Sequence, residues 1–428
     1  MSVVDAPASP PRAPAPRKAA PRGLKRALGL VAILGPGLIA ANAGNDAGGI
    51  LTYASAGAQF GYRTLFLMVL ITVALIVVQE MCSRLGAYTG EGLGALIREQ
   101  FPLRSGATAM TLLFVANAGL TVSEFAGVGA SMEIFGVSRY IAVPIALAGV
   151  WSVTVFGNYS RAERVFLVMG LVFLAYPVAA ILGHPGAGVV LRNLAWPHFV
   201  ASKAFLLLSV ALIGTTITPY MQFYLTAAVV DKGVTPQSYR AQRIDTINGS
   251  IFSDLISIFI IIATAAAIGG TGALSSAAEA ASALRPVAGE SAEQLFAVGL
   301  LGASLLAATV VPLSTAYAIS ETAGVERSLS RKLREAPFFY GLFTAQVVIG
   351  ALIALLPGNA VELVVNAQVL NGFITPILLT YILILANRRS VLGDAANGRR
   401  FRVLATVCVA VVGALSAVVL IQTVAGWL

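Results

Sequence analysis

Apolar residues run along this chain in blocks of about twenty or more, set apart by short polar connections. An α-helix rises about 1.5 Å per residue, so such a block matches the roughly 30 Å hydrocarbon core of a bilayer. Blocks long enough to span fall at 28–54, 63–85, 107–131, 139–157, 163–183, 201–230, 246–270, 295–320, 337–356, 360–386 and 403–427. The pattern predicts an all-α polytopic membrane protein with eleven transmembrane helices. Ahead of the first block, residues 1–26 are rich in Pro, Ala, Arg and Lys and lack a cleavable signal pattern. They are expected to form a disordered cytoplasmic tail. The connection 271–294 is rich in Ser, Ala and Glu and reads as a flexible solvated loop.

Composition sharpens this picture. Of 428 residues, 57% are hydrophobic and only 11% charged, with a mean hydropathy of +0.85, outside the range of a soluble globular protein. The net charge of +9 is no sign of a nucleic-acid partner, because the basic residues sit in short blocks between apolar runs, as topology determinants do. Taken over alternate connections, 23 of the 28 Lys and Arg residues fall on one side together with the N-terminal tail. The other side holds Arg63, Arg139, Arg192, Lys203 and Arg285. The positive-inside rule then predicts a multi-pass protein of the plasma membrane with its N-terminus cytoplasmic and its C-terminus extracellular. Cys82 and Cys408 lie in apolar runs and offer neither disulfide nor metal spacing.

Two blocks break their own helical pattern. In "AGNDAGG", Gly44, Gly48 and Gly49 lower helix propensity around Asp46. In "IGTTITPYMQ", Gly214 and three threonines precede Pro219, which has no N–H to continue a helix. Irregular backbone at membrane depth survives only where protein or a water-lined cavity satisfies it. Interrupted helices at matching positions of two five-span halves point to a transporter built from inverted repeats with a binding site near the midplane. The domain organisation expected is therefore a first repeat over 27–200, a second over 201–390 and an added eleventh helix in 391–428. A carboxylate at membrane depth is unfavourable by several kcal/mol without a partner, which marks Asp46 as functional.

The same stretches carry a family resemblance. "GPGLIAANAGNDAGGILTYASAGAQFGY" resembles the first span and following loop of the NRAMP family of divalent-metal transporters. "QEMCSRLGAYTGEGLGALIREQFP" is similar to that family's second span and loop, "IGTTITPY" to its metal-binding sixth span and "RIDT" to the entry of its seventh. "NAQVLNGFITPILL" with "NRRSVLG" is similar to its tenth span and exit. The resemblance covers most of residues 28–395 in order and implies a LeuT-like fold with helices 1 and 6 unwound. Departures from the family pattern are specific. The usual Asp-Pro-Gly-Asn is here Asp46, Ala47, Gly48 and Gly49, and the usual Met-Pro-His is Thr218, Pro219 and Tyr220. The tenth-span glutamine is kept as Gln368. In lacking the binding-site methionine the chain is most similar to the NRAMP-related magnesium transporter branch.

Those departures bear on the ion. Soft sulfur ligands favour transition metals, whereas carboxylate, carbonyl, hydroxyl and water suit hard ions. Magnesium usually keeps several waters and takes one or two carboxylates. Gly49 and Thr218 leave room beside Asp46 for a partly hydrated ion. The expected metal-site residues are Asp46, the backbone carbonyl of Thr215, the Thr218 hydroxyl and Gln368, with Gly49 supplying space and Asn45 a further oxygen. The resemblance supplies Asp46, Thr215 and Gln368, while Thr218 and Gly49 follow from the positions they occupy. The expected substrate is magnesium, with manganese also carried and iron handled less well. No resident cofactor and no enzymatic activity are expected, and the protein is expected to be a monomer.

The resemblance also implies proton coupling through the first-span Asp, the sixth-span His and third-span acids. Here the His is Tyr220 and one acid is Thr121, leaving Glu124. His184 and His198 lie in or near the loop after span five. Transport is expected to be uncoupled from protons. A conventional proton-coupled manganese or iron importer is the alternative. An amino-acid carrier is disfavoured because Asp46 would repel a substrate carboxylate, and an intramembrane hydrolase because no HExxH or nucleophile with a histidine occurs within the spans. Elsewhere, Glu80 and Arg84 are expected to pair as i, i+4 neighbours, and Asp254 has no obvious partner.

Overall fold

The computed structural model describes residues 46–156, 165–166, 168–325 and 333–425. The expected N-terminal tail, the first span up to residue 45 and Asn45 itself lie outside the described residues. Among the described residues every regular element is helical, in the order α1 (Ala47–Phe60), α2 (Leu65–Thr89), α3 (Leu93–Gln100), α4 (Leu103–Ile134), α5 (Arg139–Phe156), α6 (Val168–Leu182), α7 (Ala187–Ala195), α8 (Lys203–Thr216), α9 (Pro219–Asp231), α10 (Tyr239–Ile268), α11 (Ala292–Ala323), α12 (Pro337–Ala354), α13 (Ala360–Asn387) and α14 (Arg399–Ala425). Shorter helical turns join them. Nine helices or helical runs among these residues are long and apolar enough to cross a membrane, ten if α6 and α7 count as one bent span.

The expected interruption of the sixth span is present where glycine and proline place it, and at the first the described residues show where a helix starts. α1 begins at Asp46, whose extended backbone (φ −73°, ψ 177°) and side chain cap the helix by accepting from the Gly49 N–H at 2.7 Å. α8 stops at Thr216, Ile217 leaves the helical region (φ −109°, ψ 53°), and α9 restarts with Pro219 in its first turn.

α4 is the central post of the bundle. It packs against α11, α13, α12 and α5, while α8 packs on α13 and α10 lies against α1 and α2. The approach of α8 to α13 is close enough to demand glycine on both sides. A Cβ on Gly214 would come within 2.5 Å of the Gly372 N, and one on Gly372 would meet Val210. The outer faces are apolar: Tyr140, Ile141 and Ile145 on α5 and Val403, Val407 and Val411 on α14 are exposed, as suits helices whose solvent is lipid.

Two expectations are corrected. The span predicted at 163–183 does not simply end in a loop, because α6 bends by 114° into α7 across Gly183, His184, Pro185 and Gly186. The connection 271–294 is folded, with Ala277–Ala281 helical, further helical turns up to Ser291, and Ala280, Ala281, Ala283 and Leu284 buried. Its helix is capped at Ser276, which accepts from the Glu279 N–H at 3.3 Å, while Glu279 reaches back to the Ser275 N–H at 2.8 Å. Alanines supply a small apolar face, so a segment that looks soluble by composition packs against its neighbours. The Glu80–Arg84 pair forms at 3.2 Å and is joined by Arg243 at 3.3 Å and the Tyr239 hydroxyl at 3.0 Å. Arg84 also donates to Asn397 and to the Ala395 carbonyl, and so ties α2 to the connection before α14.

Candidate functional site

The start of α1 and the interruption between α8 and α9 come together against α4 and α13. Asp46 is 2% exposed, and its carboxylate is oriented by the Gly49 N–H. From α4, Glu124 accepts the Ala47 N–H at 3.2 Å, so two buried carboxylates share the first turn of α1. Helix N-termini stabilise negative charge through their free N–H groups. Neither acid takes part in any of the four ion pairs found among the described residues. Two carboxylates held this way, with no basic side chain to balance them, make a cation the natural third party.

Gln368 enters from α13. A Cβ on Gly48 would overlap its side-chain amide and would lie 3.2 Å from Asp46 Oδ1, so the amide and the carboxylate converge on the same face of α1. Gln368 Nε2 donates to the Ser123 hydroxyl at 3.3 Å, and its Oε1 has no hydrogen-bond partner among the described residues. The interhelical hydrogen bond that could have occupied this glutamine therefore engages its nitrogen and leaves its oxygen free.

The break after α8 adds neutral oxygens. Pro219 stands four residues after Thr215 and has no N–H, so the Thr215 carbonyl lacks the donor that would continue a helix. The preceding Gly214 carbonyl is satisfied by Asn371 Nδ2 at 2.5 Å. The Thr215 and Thr218 hydroxyls are buried and without hydrogen-bond partners among the described residues. Thr218 is thus not bonded back to its own helix. A buried hydroxyl left this way costs about 1–3 kcal/mol unless something else engages it.

The position-by-position outcome is mixed. Asp46, Gly49 and Gln368 meet around the first turn of α1, and Thr215 and Thr218 form the break between α8 and α9. Gly49 donates its N–H to the Asp46 carboxylate, and Gly48 is the glycine against which Gln368 packs. Three neighbours escaped sequence reasoning: Ser123, which positions Gln368; Asn371, which satisfies the end of α8; and Tyr53, whose hydroxyl meets Thr216 Oγ1 at 2.9 Å. A sequence signal existed for Tyr53 alone, which falls seven residues after Asp46 and so on the same helical face.

Thr121 donates to the Asn117 carbonyl at 2.7 Å and accepts from Gln346 at 3.1 Å. Met221, the methionine nearest the break in sequence, packs with Leu120, Tyr220, Ala307 and Val311 in an apolar cluster. His184 and His198 flank α7, His184 exposed and His198 half-buried. Among the described residues no three His, Cys, Asp or Glu side chains gather as a metal cluster. The arrangement offers carboxylate, amide, hydroxyl and carbonyl oxygen.

Comparison with known proteins agrees with this architecture. The family profile described as natural resistance-associated macrophage protein-like (Nramp) matches residues 37–422. The chain is 26% identical over 406 residues to the "Divalent metal cation transporter MntH" of Aeromonas hydrophila, covering 92% of this chain and 96% of that protein. It is 24% identical over 404 residues to the protein of the same name from Yersinia pestis, covering 92% and 95%. Among solved structures it is similar to the Eremococcus coleocola manganese transporter, with a TM-score of 0.71, 21% identity and coverage of 95% and 90%. It also resembles Mhp1, a nucleobase-cation-symport-1 family transporter in a closed conformation, with a TM-score of 0.55, 15% identity and coverage of 90% and 91%. The fold is LeuT-like.

Proposed function

This chain belongs to the Nramp family, and from that premise we propose that it is a secondary transporter that imports hard divalent cations, magnesium and also manganese, by alternating access and without proton coupling. In this reading it is one of the NRAMP-related magnesium transporters that lack the binding-site methionine. The observation that carries the reading is Thr218, which stands at the α8–α9 break with a buried hydroxyl that has no hydrogen-bond partner among the described residues. An oxygen there in place of a thioether removes the soft ligand that would favour transition metals.

The ion sits against the Asp46 carboxylate, takes the Thr215 carbonyl and Gln368 Oε1, and reaches the Thr218 hydroxyl directly or through water. Water completes the shell, because magnesium dehydrates reluctantly. Gly49 fixes the carboxylate through its N–H, and Asn45 precedes it as a further oxygen donor. Glu124 supplies the second negative charge from behind the helix terminus, which neutralises a divalent ion without entering its first shell. Two five-helix repeats, 27–200 and 201–390, rock about this position, and the helix in 391–428 stands outside them. The working unit is a monomer in the plasma membrane with its N-terminus in the cytoplasm.

Uniport needs no proton. The membrane potential supplies about 2.3 kcal/mol per charge per 100 mV, hence about 4.6 kcal/mol for a divalent ion. Thr121 and Tyr220 replace two family groups that would relay protons, and Thr121 is already engaged by Asn117 and Gln346. One observation favours the alternative of a proton-coupled manganese or iron importer: Glu124 Oε1 has no hydrogen-bond partner among the described residues. Purified protein in liposomes separates the two, with magnesium and manganese uptake followed beside internal pH. Magnesium flux without acidification, abolished in Asp46→Ala, is the expected result. Exclusion of magnesium together with metal-driven acidification would restore the conventional reading.

A further inference from the structure

A cavity of about 580 Å³ lies between α13, α14 and the start of α4, and shares no residue with the ion site. On α13 its wall runs from Phe373 to Ile384 at three- and four-residue spacing, which puts the lining residues on one side of that helix. Across from them, Gly413, Ser416 and Ala417 of α14 are small and leave the gap open. Ile377 is 45% exposed and Leu420 48%, so the cavity opens on the apolar outer face.

The chemistry of the lining decides what fills it. Tyr381 donates to the Ser105 carbonyl at 3.0 Å, and the Ser105 hydroxyl donates to the Tyr381 oxygen at 2.9 Å. Thr380 donates to the Pro376 carbonyl at 2.8 Å and Ser416 to the Gly372 carbonyl at 2.9 Å. Every hydroxyl of the lining is thus satisfied within the protein, and none calls for water. A dry apolar gap forfeits dispersion contacts until hydrocarbon fills it. From Phe373 to Ile384 is eleven residues, about 16 Å at 1.5 Å per residue and so about half of the roughly 30 Å hydrocarbon core. The cavity has the depth of one leaflet.

The end nearest Ile384 is basic. The Arg388 guanidinium lies 4.8 Å from the centre of the Phe101 ring and donates to the Gln100 carbonyl at 2.6 Å, which uses one of its five N–H groups. Arg104 adjoins Ser105 in sequence, Arg389 follows Arg388, and both are exposed. None of the three takes part in the four ion pairs found among the described residues. The planar arginine fork matches phosphate oxygens, and uncompensated positive charge favours a headgroup with net negative charge over a zwitterionic one. We infer that this cavity binds an anionic phospholipid, with one acyl chain between α13 and α14 and the phosphate among Arg104, Arg388 and Arg389.

Native mass spectrometry of the purified full chain in detergent, titrated with dioleoyl phosphatidylglycerol or dioleoyl phosphatidylcholine, tests this without requiring transport, so its outcome is separate from that of the divalent-cation reading. Saturable retention of one phosphatidylglycerol per chain is expected, about tenfold or more tighter than phosphatidylcholine. Arg388→Gln should weaken phosphatidylglycerol about fivefold and phosphatidylcholine little. Arg104→Gln carries that arm if Arg388→Gln does not purify as a folded protein. Ala417 is exposed in the cavity wall, so Ala417→Phe fills the slot without crowding the core and should weaken both lipids severalfold. Arg192→Gln, on α7, should change nothing. Absence of saturable retention, equal retention of the two lipids, binding unchanged in both arginine variants or in Ala417→Phe, an equal loss in Arg192→Gln, or displacement by millimolar inorganic phosphate would each overturn the proposal.

Discussion

Gly48→Ala isolates the geometry on which the site depends. The new methyl would overlap the Gln368 amide and sit 3.2 Å from Asp46 Oδ1. Gln368 cannot simply withdraw, because its nitrogen is held by Ser123, and Ser123 in turn donates to the Val364 carbonyl at 3.3 Å. Overpacking a filled interior costs roughly 1–3 kcal/mol. Replacing glycine by alanine in a helix returns roughly 0.5–1 kcal/mol. The net loss of stability is therefore small, about 0–2.5 kcal/mol, and the variant should fold. The damage appears in the ion site, where a displaced Gln368 should raise half-saturation for manganese uptake about tenfold, equivalent to about 1.4 kcal/mol. Uptake into proteoliposomes across a manganese titration, with thermal unfolding in parallel, measures both quantities. Gln368→Ala should weaken uptake by itself, and adding Gly48→Ala to it should change little, since the clashing group is then gone. Wild-type half-saturation in Gly48→Ala, or effects that add fully in the double variant, would refute this account of the site.

Other consequences follow from the same contacts. Thr218→Met places a thioether at the α8–α9 break and should shift preference toward cadmium over magnesium by about tenfold or more, the soft-ligand effect; competition of each metal against manganese uptake measures it, and an unchanged ranking removes Thr218 from the ion's surroundings. Glu124→Gln keeps an acceptor for the Ala47 N–H but removes the second negative charge, and should raise half-saturation for manganese uptake about tenfold, equivalent to about 1.4 kcal/mol, with internal pH still unchanged during uptake, whereas Glu124→Ala also strands that donor and should lower stability by about 1–3 kcal/mol, read by thermal unfolding. Glu80→Ala strips the partner from Arg84 and should destabilise by about 3 kcal/mol, with the remaining bonds to Ala395 and Asn397 keeping the loss at that lower end.

Much of the fold was legible because lipid imposes it. Eleven apolar blocks, two interruptions marked by glycine and proline, and a lone carboxylate at one of them are properties of the chain read in order, and one helix starts after Asp46 while another stops at Thr216 and a third starts at Pro219. What escaped depends on how helices approach one another. Gly48 and Gly49 are equivalent in sequence, and only the position of α13 decides which of them faces Gln368. Ser123 and Asn371 are ordinary polar residues of membrane helices until α4, α8 and α13 are side by side. Segment 271–294 misled because Ala, Ser and Glu suit a solvated loop and a short packed helix equally well, and burial of Ala280 and Leu284 against the bundle decides between them. The turn at 183–186 carried a local signal, Gly-His-Pro-Gly, which ends a helix without stating the angle at which the next begins.

The central claim is that a hard, sulfur-free oxygen site lies where the start of α1 meets the break between α8 and α9. Anomalous diffraction from crystals of the full chain grown with manganese locates the ion directly. The account predicts a peak within coordination distance of the Asp46 carboxylate and the Thr215 carbonyl, with Gln368 and Thr218 facing it and no sulfur in the first shell. A peak elsewhere, with Asp46 turned toward a basic side chain, would contradict it.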